Sequence, residues 1–445
     1  QHYGGSHTIG RLRLSATSSP RPVRAAGVEA LPKNVADALA ADAAARGDEQ
    51  KRAIEAHYRT IAPLLKPLRD KVAALEKQKD GILKSSPTSI VSMSVEPRMV
   101  RVLPRGNWLD DSGEVMSPAT PAFLPGLGVH DRRPTRLDLA RWFVSRDNPL
   151  VARVFVNRLW KLCFGQGIVR TLDDFGTQGA WPLHPQLLDW LAVEFIESGW
   201  DVKHMLRLMV TSSVYRQSSD APAARQRDPG NQWLARQNRF RLDAEMVRDN
   251  ALAVSGLLST KIGGPSVKPY QPVGYWMHLN FPTREWSHDQ GENQYRRGLY
   301  TWWQRTFLHP SLLAFDATSR EECTVERPRS NTPLQALVLL NDPTYVEAAR
   351  AFAARVLVEA PADTPARIAF AWRRALGRDA TPDEVGTLAH LYEKTRQSYT
   401  ADSAAAAEVL QNGEAPPPAA DAIELATWTA LCRAILNLHE TVTRY

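Results

Sequence analysis

The sequence predicts a mainly α protein: a multi-helix body with long irregular aromatic-rich loops and a small β element at its N-terminus. Three observations predict it. Polar residues paired with prolines recur where helices would start, apolar residues between them repeat every three or four positions, and residues 270–307 gather aromatic rings among glycines and prolines.

With 445 residues, 43% hydrophobic and 23% charged, the chain can bury a real core and divide into two to four domains. No run approaches the roughly 18 consecutive apolar residues that a membrane helix needs, so no membrane span is expected. The opening Gln-His-Tyr-Gly-Gly has neither the basic start nor the apolar stretch of a signal peptide, and reads as the start of a processed or excised piece. A net charge of +7 suits an anionic partner, but Lys and Arg are spread along the chain rather than gathered in runs, and no nucleic-acid partner is expected. Cys163, Cys323 and Cys432 lie far apart and form neither a zinc pair nor a Cys-x-x-Cys-His haem attachment site. Buried free thiols are the favoured reading; one disulfide with a spare thiol stays open if the protein is exported.

Residues 1–29 hold a strand and a linker: Leu12, Leu14 and Ala16 alternate with Arg11, Arg13 and Ser15. A lone strand needs neighbours, either upstream of Gln1 or in later segments. Residues 30–85 become Ala-rich and charged, broken by Pro63 and Pro67, with Leu68, Val72 and Leu75 at helical spacing; this is a helical pair or short coiled-coil hairpin. Residues 86–131, rich in Pro, Ser and Gly, read as extended chain draped over a body. Residues 132–445 form the helical body. Its starts are Thr135 with Asp138, Asn148-Pro149, His184-Pro185, Thr332-Pro333 with Gln335, Asp342-Pro343, and Thr381-Pro382 with Glu384. Leu188, Leu191, Ala192 and Phe195 share one helical face, and Val202, Met205, Leu206 and Met209 another, with Gly199 as the stop between them.

Two stretches carry possible chemistry. In 315–342, Thr332, Pro333 and Gln335 are expected to open a helix whose residues 336–340 are apolar all round and so buried. Asp316, Glu321, Glu322, Arg327 and Arg329 crowd the approach to that helix, where an anion is favoured; a salt-bridged loop and a reactive site are both open readings. In 270–307 there are ten aromatic residues where the chain's 8% average would place about three. Rings beside hydrogen-bonding groups suit a pyranose, whose C–H face packs on a ring while its hydroxyls want polar partners. The same rings can equally anchor the loop to the core.

Weaker signals complete the survey. His288, Asp289 and Glu292 match no specific metal-loop spacing, so no metal is expected, and His184 reads as a helix-start residue. Asp173 and Asp174 are a paired-carboxylate loop, fit for a turn or for acid/base work. No Gly-x-Ser-x-Gly elbow, phosphate loop or dinucleotide fingerprint occurs.

Four blocks carry a resemblance: "DNPLVARVFVNRLWKLCFGQGIVRTLDDFGTQGAWPLHPQLLDWLAVEF", "LDAEMVRDNALAVSGLLSTKIGGPSV", "YRRGLYTWWQRTFLHPSLLAFDATSREECTVERPRSNTPLQALVLLND" and "ILNLHETVTRY". From about Arg132 onward the chain resembles the planctomycete cytochrome-c-associated domain family, a domain of unknown function. The resemblance implies a preceding uncharacterised domain, an exported c-type-haem segment further upstream, and sometimes a β-sandwich insertion, whose closing strand the N-terminal β element resembles. It also implies a periplasmic or cell-envelope location. The haem motif is absent from this chain, so the cofactor would lie in an upstream domain, a cleaved N-terminal part or a partner cytochrome.

Three functions follow. The first is part of an exported redox enzyme acting on carbohydrate and passing electrons to a c-type haem outside this chain. The second is a non-enzymatic carbohydrate-binding or envelope scaffold, and the third a carboxylate-based glycan hydrolase. The candidate catalytic residues are Asp316, Arg329, His278 and Asp174. The candidate sugar-binding residues are Trp276, Trp286, Tyr300, Trp302, Trp303, Arg297 and Arg305.

Overall fold

The computed structural model describes residues 31–86, 88–278, 285–305 and 307–444. The expected strand at 7–17, the side chain of His278, and Phe281, Pro282 and Arg284 of the aromatic stretch lie outside the described residues. The chain divides into two compact units, Gln1–Gly113 and Glu114–Tyr445.

In the first unit, α1 (Lys33–Ala40) and α2 (Asp48–Ile61) pack on each other, and α3 (Lys66–Ser85) follows. Non-helical backbone at Ala62, followed by Pro63, separates α2 from α3. A two-residue strand, β1 (Val100–Arg101), lies in the extended chain beyond.

The second unit is the helical body. After the short β2 (Val115–Met116) come α4 (Arg136–Phe143), α5 (Val151–Phe164), α6 (Pro185–Glu197), α7 (Val202–Thr211) and α8 (Pro222–Arg227). Then follow β3 (Phe240–Arg241), α9 (Ala244–Ser255), α10 (Pro310–Ala314), α11 (Pro333–Asn341), α12 (Pro343–Glu359) and α13 (Thr364–Leu376). The chain ends with α14 (Pro382–Ala401), α15 (Ser403–Leu410), α16 (Ala422–Leu436) and β4 (Thr443–Arg444). Sixteen α-helices against two-residue strands make the protein mainly α among the described residues.

Local chemistry sets the helix starts. Thr135 N–H donates to Asp138 Oδ2 at 2.7 Å, and Thr381 N–H to Glu384 Oε2 at 2.7 Å, while each threonine hydroxyl accepts from the third helical N–H. Asn148 Oδ1 accepts from the N–H groups of Leu150 and Val151, and Asp342 Oδ1 from that of Thr344. At the end of α6, Gly199 takes φ +75°, a left-handed conformation that glycine adopts without steric cost.

Two apolar cores organise the body. α5, α6 and α7 enclose Val156, Trp160, Leu188, Leu191, Phe195 and Met205. The larger core joins α9, α12, α13, α14 and α16 around Phe352, Ile368, Trp428 and Leu431, each fully buried and each contributing about 1.5–3 kcal/mol. β3 pairs antiparallel with β4, Phe240 opposite Arg444 and Arg241 opposite Thr443, which fastens the end of the chain beside α9.

The expectation that residues 336–340 are buried is corrected. Leu337 is 54% exposed and Leu334 57%; only Gln335 and Leu339 of α11 are buried. The helix packs through one face and lines an apolar groove with the other. All three cysteines are free; Cys163 and Cys432 are buried, but Cys323 is exposed on the loop after α10.

Candidate functional site

Helices α5 and α9 wall a cleft of about 480 Å³, closed by residues 297–299 and the 324–327 loop. Helical spacing aims its polar groups. Arg158, Lys161 and Leu162 stand three and four apart on α5, while Glu245, Met246 and Asp249 do so on α9. Leu162, Leu172, Met246 and Leu299 provide the apolar surface.

Asp249 is the most unusual group there. Its Oδ1 accepts the Gly298 N–H at 2.6 Å. Burial pushes its carboxyl above the usual aspartate range, against the opposing pull of the Gly298 N–H and the charges of Arg248 and Arg297. The backbone comes this close because residue 298 has no side chain. A Cβ there would sit 2.9 Å from both Cα and Cβ of Glu245.

The other charges are arranged around this contact. Arg327 Nη1 donates to Glu245 Oε2 at 2.6 Å, and Arg329 Nε lies 3.7 Å from Asp243 Oδ1. Arg297 lines the cleft, and its buried Nε has no hydrogen-bond partner within the protein. Behind the wall, fully buried Arg248 donates to the carbonyls of Arg296 and Gln294, both at 2.6 Å, tying the 294–298 segment to α9. The cleft thus offers guanidinium donors, carboxylate acceptors and an apolar lining, with one carboxyl raised by burial.

The expected site residues fall in several places. Arg297 lines the cleft, and Arg329 stands beside it through Asp243 and over the Phe240 ring. Asp316 faces the apolar groove beside α11, where its carboxylate accepts from Arg241 Nη2 at 2.6 Å, from Ser330 N–H at 2.8 Å and from the Ser330 hydroxyl at 2.7 Å. Asp174 shapes a turn, its Oδ1 accepting from Gly176 N–H at 2.7 Å. Arg305 lies 3.5 Å from Glu321 and is exposed.

The tryptophans come together, but on one another. Trp276 is 5% exposed and stacks on Trp286 with centroids 5.4 Å apart; Trp302 lies 5.9 Å from Trp276 and 5.7 Å from Trp286. Trp276 Nε1 donates to Gln271 and Trp286 Nε1 to the Pro269 carbonyl. Tyr300 stacks under the Arg296 guanidinium at 3.8 Å, as does Trp303 under that of Arg320. None of these rings lines the cleft. His288 and Glu292 each have their own partners, Glu414 and Ser259, and Asp289 accepts the Lys268 N–H.

The acidic pair Glu245 and Asp249 was missed from sequence alone. The signal was present in "LDAEMVRDN": two carboxylates one helical turn apart beside a fully buried arginine.

Fold and cleft together define a mainly α domain carrying a cleft lined by charged and apolar side chains. The chain belongs to the PSD1 family, described as a protein of unknown function (DUF1553), whose family model matches residues 135–392 and so includes every residue of the cleft. No curated protein and no solved structure matches it.

Proposed function

We propose that the chain holds a saccharide in the cleft between α5 and α9, as the substrate-handling part of an exported redox enzyme whose c-type haem lies outside this chain. The observation that carries this reading is one cleft lined by the carboxyls of Glu245 and Asp249, the guanidinium of Arg297 and the apolar side chains of Met246 and Leu299. A sugar ring presents the matching chemistry: hydroxyls for the guanidinium and carboxylates, a C–H face for the apolar side chains. Oxidation of a sugar's alcohol group to a carbonyl releases two protons and two electrons. A carboxylate in a desolvated wall can take the hydroxyl proton, while the carbon-bound hydrogen would leave as a proton and two electrons, the electrons passing one at a time to the haem outside this chain.

The residues present do not fit a covalent haem. Cys163 and Cys432 are buried in helices and Cys323 stands alone on a loop, with no Cys-x-x-Cys-His arrangement. The redox and export parts of the proposal therefore rest on the sequence resemblance, and the cleft supplies only the substrate part.

The test is the visible spectrum of the complete natural polypeptide mixed anaerobically with a panel of saccharides. Reduced haem bands appearing with one saccharide class support the proposal. Binding without reduction would replace the enzyme by a carbohydrate-binding scaffold, and release of shortened glycan without any electron acceptor would replace it by a hydrolase.

A further inference from the structure

Helix α3 is 20 residues long, yet every residue except Arg69 is exposed. Its nearest neighbour is the short turn Pro63–Leu65 that leads into it. Helices draw most of their stability from packing an apolar face, and α3 has such a face without a partner among the described residues of its own unit. Leu68, Val72, Leu75 and Ile82 are 60%, 54%, 53% and 65% exposed.

Their spacing is informative. Positions 68, 72, 75, 79 and 82 alternate steps of four and three, the 3.5-residue period of a coiled-coil seam. In heptad terms Leu68, Leu75 and Ile82 occupy d, and Val72 and Lys79 occupy a. A β-branched residue at a with leucine at d favours two parallel strands, and a single lysine at a fixes register and oligomeric state at some cost in stability.

We infer that α3 pairs in parallel with α3 of a second copy of this chain. The flanking charges select that partner and that direction. Lys71 is a g residue and Glu76 the following e residue, so in a parallel, in-register pair each Lys71 faces the Glu76 of the other copy, twice by symmetry. An antiparallel pair would instead set g against g, and since the g residues of α3 are Lys71, Gln78 and Ser85, Lys71 would lose its pairing with Glu76. Lys66 and Asp70 pair within the helix at 2.7 Å, on its outer side, and leave the seam free.

The test uses the full chain with Cys323→Ser as background, so that the exposed native thiol cannot crosslink. Light scattering at micromolar concentration is expected to give the mass of a dimer. Val72→Glu should convert it to a monomer that keeps the cooperative melt of the helical body, because the site is exposed in the single chain. Under mild oxidation Val72→Cys should form a disulfide-linked dimer, whereas Lys77→Cys, on the outer face, should not. A monomer at the same concentration overturns the inference, as does a dimer that survives Val72→Glu or crosslinks equally well through residue 77.

Discussion

Arg241 on β3 and Asp316 after α10 form a buried clasp, Nη2 to Oδ2 at 2.6 Å, with side chains only 8% and 16% exposed. The same guanidinium donates to Gln335 Oε1 at 2.6 Å and to the Ser330 carbonyl. One arginine therefore joins three parts of the chain: the 240–241 strand, the turn at 316 and the start of α11. Asp316 adopts φ +63°, a left-handed conformation costly for most residues but tolerated by Asp and Asn.

Replacing Asp316 by Ala should cost about 3 kcal/mol, because it leaves a buried guanidinium without its carboxylate partner and puts a residue that disfavours φ +63° at a strained position. Asp316→Asn should cost less, since Asn tolerates the same φ and still accepts one hydrogen bond. Urea unfolding of the two variants checks the order. Equal losses would show that the charge, rather than backbone and hydrogen bonding together, sets the effect.

Stability should fall with acid in two stages. Burial, helped by the charge of Arg248, holds His309 down at about 4, below its ordinary 6.5, despite its bond to the Tyr270 carbonyl. Both states are neutral above pH 6.5. As pH falls from there toward 4 the unfolded chain takes a proton that the folded one refuses, and stability is lost. The second stage comes from carboxylates held low. Arg132 lowers Asp138, and Arg378 lowers Glu384 to about 2; for Asp316 the Ser330 and Arg241 hydrogen bonds outweigh burial. Their contribution is present above about pH 4 and is lost as pH falls through the folded values. Melting temperatures from pH 8 to 2.5 should show both stages, and His309→Gln should flatten only the first.

Gly298→Ala should disturb the cleft from outside the charged groups. The added methyl meets Glu245 backbone and Cβ rather than a flexible tip, so the 297–299 segment must move off α9. A loss of about 1–3 kcal/mol is expected, with a lengthened Asp249 contact. An unchanged melt would mean that the segment is loosely held.

Trp276→Ala should cost about 3–5 kcal/mol, as expected for removing a buried ring from a stacked cluster. Trp302→Ala, at a half-buried ring on the edge of the same cluster, should cost less. Urea unfolding compares them, and a larger loss for Trp302 would relocate the centre of the cluster.

Helix starts were legible in the sequence because capping is settled within four residues: Thr135 and Asp138, or Thr381 and Glu384, need nothing from elsewhere. The burial of α11 was not, because Leu334 and Leu337 look like core until their facing neighbours are known. The cleft was least legible. Its walls come from residues 158 to 327, and Asp249 owes its raised carboxyl to burial that only the folded chain creates, against the pull of a glycine N–H 49 positions away. Of the expected candidates, Arg297 lines it among the described residues, as does Arg327 of the charged 315–342 stretch.

The most direct measurement is calorimetric titration of neutral and acidic oligosaccharides into the chain and its Arg297→Ala and Asp249→Asn variants. At least one saccharide class should bind, Arg297→Ala should weaken it at least about tenfold, and Asp249→Asn should reduce binding without lowering the melting temperature, since it removes a carboxylate whose charge is costly to bury. Saccharide binding that both variants leave untouched, or no binding of any class, would contradict the assignment of this cleft.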